Sequence, residues 1–266
     1  MPTGAGKSLC YQLPAMIKDG LAIVISPLIA LMKNQVDQMN AYGVNARFLN
    51  STLSKGEITR LKKDCMNGVV KLLYVAPESL TKEENIEVLQ KVNVSFVAID
   101  EAHCISQWGY DFRPSYLKIA AFRKELPGVP VLAVTASATP LVQDDICKQL
   151  QFRKHHIYKG SFLRPNVSFS VFEVESRINK VVQVLQNVQG CAIVYCKSRK
   201  RTQEVAQLLQ LQQITADYYH AGLSNDERSK RQEAWLRNET RVMVCTNAFG
   251  MGIDKPDVRT VVHLEL

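Results

Sequence analysis

The sequence predicts an α/β protein made of two tandem parallel sheets, one over residues 1–152 and one over 177–266, joined by a linker at 153–176. Three observations carry this. Short apolar runs alternate with stretches of helical period, the pattern of parallel strands covered by helices. The rhythm stops after Leu150 and restarts near Asn179. The 266 residues, 46% of them apolar, suffice for two ordinary cores.

Met1-Pro-Thr-Gly-Ala-Gly-Lys-Ser8 ends in Gly-Lys-Ser, the close of a phosphate-binding loop, in which backbone N–H groups and a helix N-terminus cradle phosphate. Met1 replaces the usual first glycine, so a plain helix-start turn is the competing reading. Leu21 to Ser26 reads as a strand ended by Pro27, and Leu28 to Met39 has helical spacing. Helical stretches follow at Glu57 to Met66 and Lys82 to Gln90, on either side of a strand at Leu72 to Ala76. The run Phe96 to Ile99 is a buried strand, and Val131 to Thr135 another before a helix from Pro140 to Leu150. In the linker, Val167, Phe169 and Val171 alternate with polar residues. The second half then gives helix 179–188, strand 191–196, helix 198–211, strand 216–219, helix 225–237, and strands 242–245 and 260–263.

No run of about 18 apolar residues and no leader-like N-terminus occurs, so a soluble intracellular protein without a membrane partner is expected, cytoplasmic or nuclear. The seven cysteines are scattered without a Cys-x-x-Cys pair, which argues against zinc and against a disulfide framework. The net charge is +8, and residues 151–266 hold 17 Lys/Arg against 11 Asp/Glu, so most of the excess lies in the second half. A polyanionic partner fits that balance, as does simple solubility.

Asp100 and Glu101 end the Phe96 strand, where open α/β sheets hold ligands. Together with Gly-Lys-Ser they form a far more specific pair than either alone. Lys7 and a Mg²⁺ would neutralise phosphate charge, Ser8 and Asp100 would hold the metal, and Glu101 would orient and deprotonate water. His103 lies close enough to sense a terminal phosphate, or is an ordinary hydrogen bonder. Gln107, Trp108, Tyr110, Phe112 and Arg113 form an aromatic, polar loop that suits base stacking or partial burial. Arg199, Lys200 and Arg201 open a helix, as a phosphate site or a solvated face.

These motifs closely resemble those of the RecQ family of DEAH-type superfamily 2 DNA helicases, across essentially the whole chain. Pro2 to Gln12 is similar to motif I, Ile25 to Gln35 to motif Ia, and Asp100-Glu-Ala-His103 to motif II. Ile105 to Pro114 resembles the family's aromatic-rich loop, and Thr135-Ala-Ser-Ala-Thr139 motif III. Ile193 to Arg199 resembles motif IV, Tyr219 to Leu223 the segment after it, and Thr246 to Pro256 motif V.

The resemblance implies two RecA-like (P-loop NTPase) lobes, ATP with Mg²⁺ as ligands, and 3′ to 5′ movement on single-stranded or at duplex DNA. It implies nucleotide contacts from Gly4, Ala5, Gly6, Lys7, Ser8, Gly252 and Asp254. DNA binding and coupling would fall to Gln107, Trp108, Phe112, Arg113, Thr135, Ser137, Tyr195, Ser198, Arg199, His220 and Thr246. It also implies a fragment of a longer helicase, without the strand before the P-loop, the adenine-recognition motif and motif VI. Loss of that first strand is expected to leave a gap in the middle of the first sheet.

Overall fold

Aliphatic runs too short for helices pair side by side in the computed structural model, which describes residues 1–2, 4–109, 111–161, 163–250, 253 and 255–265. The chain divides into two compact units, Met1–Asn166 and Val167–Leu266.

The first unit runs α1 (Leu9–Ile17), β1 (Leu21–Ile25), α2 (Ile29–Ala41), β2 (Ala46–Leu49), α3 (Lys55–Met66), β3 (Leu72–Val75), α4 (Glu83–Lys91), β4 (Val94–Ile99), α5 (Ile119–Glu125), β5 (Val131–Ala133) and α6 (Pro140–Gln149). Single 3-10 turns occupy Pro77–Thr81, Ala102–Ile105 and Pro114–Lys118. The strands form one parallel sheet in the order β2-β3-β1-β4-β5. Every residue of β1 is buried, because it lies mid-sheet with helices on both faces. Strand alternation divides it between two cores. Leu21, Ile23 and Ile25 pack with Leu61, Leu89, Phe122 and Ile146 from α3 to α6. Ala22 and Val24 pack with Tyr11, Ala15, Met32, Val36 and Met39 from α1 and α2.

The expected central gap is not there: β1 and β4 hydrogen-bond directly, from Leu21 opposite Val94 to Ile25 opposite Ile99, so the sheet is continuous. β1 is paired on both sides, by β3 and β4, so no interior backbone groups are left facing a gap. β2 and α5 are also additions to the expected elements.

The second unit runs α7 (Arg177–Asn187), β6 (Cys191–Tyr195), α8 (Arg199–Leu211), β7 (Ala216–Tyr219), α9 (Asn225–Leu236), β8 (Val242–Cys245) and β9 (Val258–His263). Its sheet is parallel, ordered β7-β8-β6-β9. One face packs Val181, Leu185, Val205 and Leu209, and the other packs Tyr219, Trp235, Met243 and Phe249. Helix starts are marked by polar caps. Ser54 with Glu57 and Ser224 with Glu227 form reciprocal capping boxes, and Thr139, Ser176 and Ser198 each accept from a first-turn N–H.

Among the described residues of 153–176 there is no helix or strand, and Phe169 and Val171 stay exposed. The alternation read there is unpaired in this chain. Among the described residues no helix is long and apolar enough to cross a membrane.

Candidate active site

The loop before α1 carries Gly4 and Gly6 at φ +81° and +77°, left-handed values that glycine adopts without a Cβ penalty. The chain then runs straight into helix, with Leu9 N–H bonded to the Gly6 carbonyl and Gln12 N–H to the Ser8 carbonyl. Gly4 and Ala5 are exposed and Ser8 is half-buried, and the Ala5 N–H turns back onto the Pro2 carbonyl at 3.2 Å.

Lys7 reaches from this loop to the end of β4. Its Nζ lies 3.3 Å from Asp100 Oδ1 and donates to Glu101 Oε1. Adjacent residues in a strand point to opposite faces. Glu101 escapes that rule because its backbone is left-handed, at φ 47° and ψ 46°, which costs a non-glycine residue about 1 kcal/mol. The turn lets both carboxylates face one ammonium. Asp100 is 1% exposed. Its Oδ1 accepts from Glu101 N–H at 2.9 Å, and its carbonyl accepts from Tyr116 Oη at 2.9 Å.

The electrostatics follow. Burial pushes the Asp100 carboxyl above its ordinary range, with Lys7 opposing the shift. Burial would lower the Lys7 ammonium, but Asp100 and Glu101 outweigh it and hold Lys7 above its ordinary value. The donors here, a serine hydroxyl and a buried carboxylate already stabilised by a cation, are hard oxygens of the kind Mg²⁺ takes. Ser8 and Asp100 therefore fit a magnesium ion.

Two residues outside the expected site complete it from below. Tyr11 Oη donates to Gln35 Oε1 at 2.9 Å and lies 3.3 Å from Asp100 Oδ2, while Gln35 Nε2 is 3.4 Å from Ser8 Oγ. The signal for Gln35 was a polar residue beside the buried stripe of Met32, Val36 and Met39 on α2.

His103 lies beside Glu101, with Nδ1 at 2.8 Å from Thr135 Oγ1 and 3.3 Å from Glu101 Oε2. Thr135 Oγ1 also accepts from the N–H of exposed Ser137 at 3.1 Å. Burial holds the imidazole below its ordinary value, against the opposing pull of Glu101 and Asp111. The unfolded chain therefore binds the extra proton more readily, and stability falls as pH drops below about 6.5. The urea midpoint is expected to be lower at about pH 5.5 than at about pH 7.5, with the difference reduced in His103→Gln. An undiminished difference in the variant rules His103 out as its source.

The following loop leaves at Cys104 and returns at Arg113, whose N–H closes the neck on the Cys104 carbonyl at 2.8 Å. Arg113 grips Asp111 Oδ2 through Nε and Nη2 at 3.2 and 3.1 Å, and donates through Nη1 to the Pro27 carbonyl at 3.0 Å. Trp108 is 69% exposed and Gln107 exposed, while Phe112 is half-buried. The indole is thus a surface group rather than a core one. His103, Cys104 and Asp111 bring possible metal-ligating atoms within 4.8 Å of one another. Asp111 is already paired with Arg113, however, and the Cys104 thiol is pushed up to about 12 by burial and then Asp111. The cluster braces the loop.

In the second unit, Ser198 caps α8 and exposed Arg199 packs against Gly222, where a Cβ would come within 2.9 Å of the guanidinium. His220 is buried, stacks on Tyr218 at 5.7 Å, and has Nε2 at 3.4 Å from Gln203. Tyr195 forms a separate group: it donates to the Phe249 carbonyl at 3.1 Å and stacks on His263. Half-buried Thr246 accepts, through its carbonyl, the N–H of Phe249. Gly252 and Asp254 lie outside the described residues.

Family models add an independent line. Residues 1–146 match the DEAD/DEAH box helicase model, and 176–266 match the helicase conserved C-terminal domain. The ATP-dependent DNA helicase RecQ of Bacillus subtilis is 48% identical over the whole chain, which covers 45% of that protein. A putative ATP-dependent RNA helicase of Acanthamoeba polyphaga mimivirus is 41% identical over 98% of the chain, covering 48% of its length. The chain thus spans about half the length of these relatives. The crystal structure of the DUF1998 helicase MrfA bound to DNA superposes with a TM-score of 0.76 at 16% identity, covering all of this chain and 40% of that one. That likeness is one of fold.

Proposed function

The chain belongs to the DEAD/DEAH box helicase family, among its RecQ-type members, and on that premise we propose that it couples ATP hydrolysis to 3′ to 5′ movement on single-stranded DNA and to duplex opening in repair and recombination. The observation that carries the reading is the Lys7 ammonium held between Asp100 and Glu101. In this reading the backbone of Gly4, Ala5 and Gly6 cradles the phosphates and Lys7 moves onto the terminal ones. Ser8 and Asp100 hold Mg²⁺, which when bound neutralises phosphate charge. Glu101 accepts a proton from the attacking water, and His103 links it to Thr135 and Ser137.

Exposed Trp108 and Gln107, with Phe112 and Arg113, take single-stranded DNA by stacking and charge. Exposed Ser198 and Arg199 contact the phosphate backbone from the second unit, and His220, Tyr195 and Thr246 serve to couple that contact to turnover. The mimivirus relative's name favours RNA as a second reading. The test is ATP hydrolysis with single-stranded DNA or RNA of equal length, followed by unwinding of duplexes with a 3′ or a 5′ tail. DNA is expected to stimulate several-fold more than RNA, and the 3′ tail to be the productive one. Stimulation by RNA at least equal to that by DNA would replace this reading with the second.

A further inference from the structure

Tyr11 is wholly buried, where a phenylalanine would pack equally well against Tyr74, whose ring it meets edge-on at 6.5 Å. Its hydroxyl is nonetheless placed between two polar groups from other elements. Its single hydrogen is shared between Gln35 Oε1 at 2.9 Å and Asp100 Oδ2 at 3.3 Å, a three-centre bond. That donation orients the Gln35 amide, because its oxygen is taken and its nitrogen must point the other way. The nitrogen points to Ser8 Oγ at 3.4 Å. Ser8, just before α1, and Asp100, just after β4, are thereby the two ends of one chain of hydrogen bonds that runs through Tyr11 of α1 and Gln35 of α2.

We propose that Tyr11 is a positioning residue which, through Gln35, holds the Ser8 hydroxyl and the Asp100 carboxylate at the separation and orientation that a divalent cation requires. The proposal rests on the assignment of those two oxygens as Mg²⁺ ligands. Lys7 and Glu101 N–H hold only Oδ1 of Asp100, at 3.3 and 2.9 Å. When Lys7 turns to a phosphate, the tyrosine still fixes Oδ2, so the carboxylate does not rotate out of place. Groups of this kind, which orient metal ligands without touching the metal, typically govern metal affinity by about 10- to 100-fold.

Tyr11→Phe keeps the ring and removes the proton. Binding of Mn²⁺ to the nucleotide-loaded protein, read by its electron paramagnetic resonance, is expected to weaken about tenfold. The Mg²⁺ concentration for half-maximal hydrolysis should rise in parallel. Affinity for a fluorescent ATP analogue in EDTA should stay within about twofold of the parent, since no metal is then held. Gln35→Met carries the same expectation should Tyr11→Phe fail to fold. An unmoved Mn²⁺ affinity overturns the proposal, as does an equal loss with and without metal, which is the mark of a scaffold residue. The Mn²⁺ measurement needs no turnover. A parent chain that binds Mn²⁺ with nucleotide but hydrolyses nothing would count against the proposed activity and leave the bridge standing.

Discussion

Glu101→Gln is expected to lower DNA-stimulated ATP hydrolysis by about a hundred- to ten-thousandfold, the span over which a positioned general base contributes. The substitution keeps the shape and the capacity to accept from Lys7 but removes the basic oxygen. Nucleotide affinity should hold, because the proposed role of this carboxylate is toward the attacking water rather than the phosphates. The backbone argues the same way: residue 101 pays the cost of a left-handed conformation, and its return is a second carboxylate beside Asp100. Rates of parent and variant measured side by side settle the matter. Indistinguishable rates would remove Glu101 from the chemistry.

Lys7→Ala should be the costliest change in stability as well as in nucleotide binding. It leaves Asp100, 2% exposed in its side chain, facing Glu101 without a counter-cation. Removing one partner of a buried pair costs about 3 kcal/mol or more. The signs are explicit. The Lys7 pKa is raised on folding, so its contribution is complete below the unfolded value of about 10.5 and is lost as pH rises through the folded one. In the variant, burial pushes the Asp100 carboxyl up, opposed by the Glu101 N–H but no longer by Lys7. It takes a proton on acidification, so the deficit seen near neutrality should narrow toward about pH 5. Urea unfolding at the two pH values checks this, and Lys7→Ala with Asp100→Asn should recover part of the loss. A single variant as stable as its parent at neutral pH would show that the pair contributes little.

The elements that the sequence announced most clearly were those with a chemical boundary. Pro27 and Pro77 bracketed their strands, and Asp100-Glu101 ended the third; each strand is found within about two residues of its expected range. β2 was not foreseen because Ala46–Leu49 is only four residues long and carries an exposed arginine, so it merges with the loop residues Gly43, Asn45, Asn50 and Ser51 around it. Strand order is the larger omission. Nothing local states that β1 pairs with β4, which is a long-range outcome of which faces the helices cover. At the site, Lys7, Asp100 and Glu101 were legible because their residue types are tied to one chemistry. Tyr11 and Gln35 were not, since tyrosine and glutamine on a helix face carry no chemistry until the fold brings them beside Asp100 and Ser8.

The pinched neck of the aromatic loop has a consequence for how this region can diversify. Cys104 and Arg113 are joined by a main-chain hydrogen bond, and Arg113 is anchored again on the Pro27 carbonyl, so the stretch between them hangs from a fixed hinge point. Added residues at its exposed tip, near Gln107 and Trp108, would lengthen a closed hairpin-like appendage and leave the acidic strand end in place. Closure entropy grows only slowly with length, by about 0.6 kcal/mol per doubling. The tip can therefore take up added length at little cost to the geometry of the loop's base.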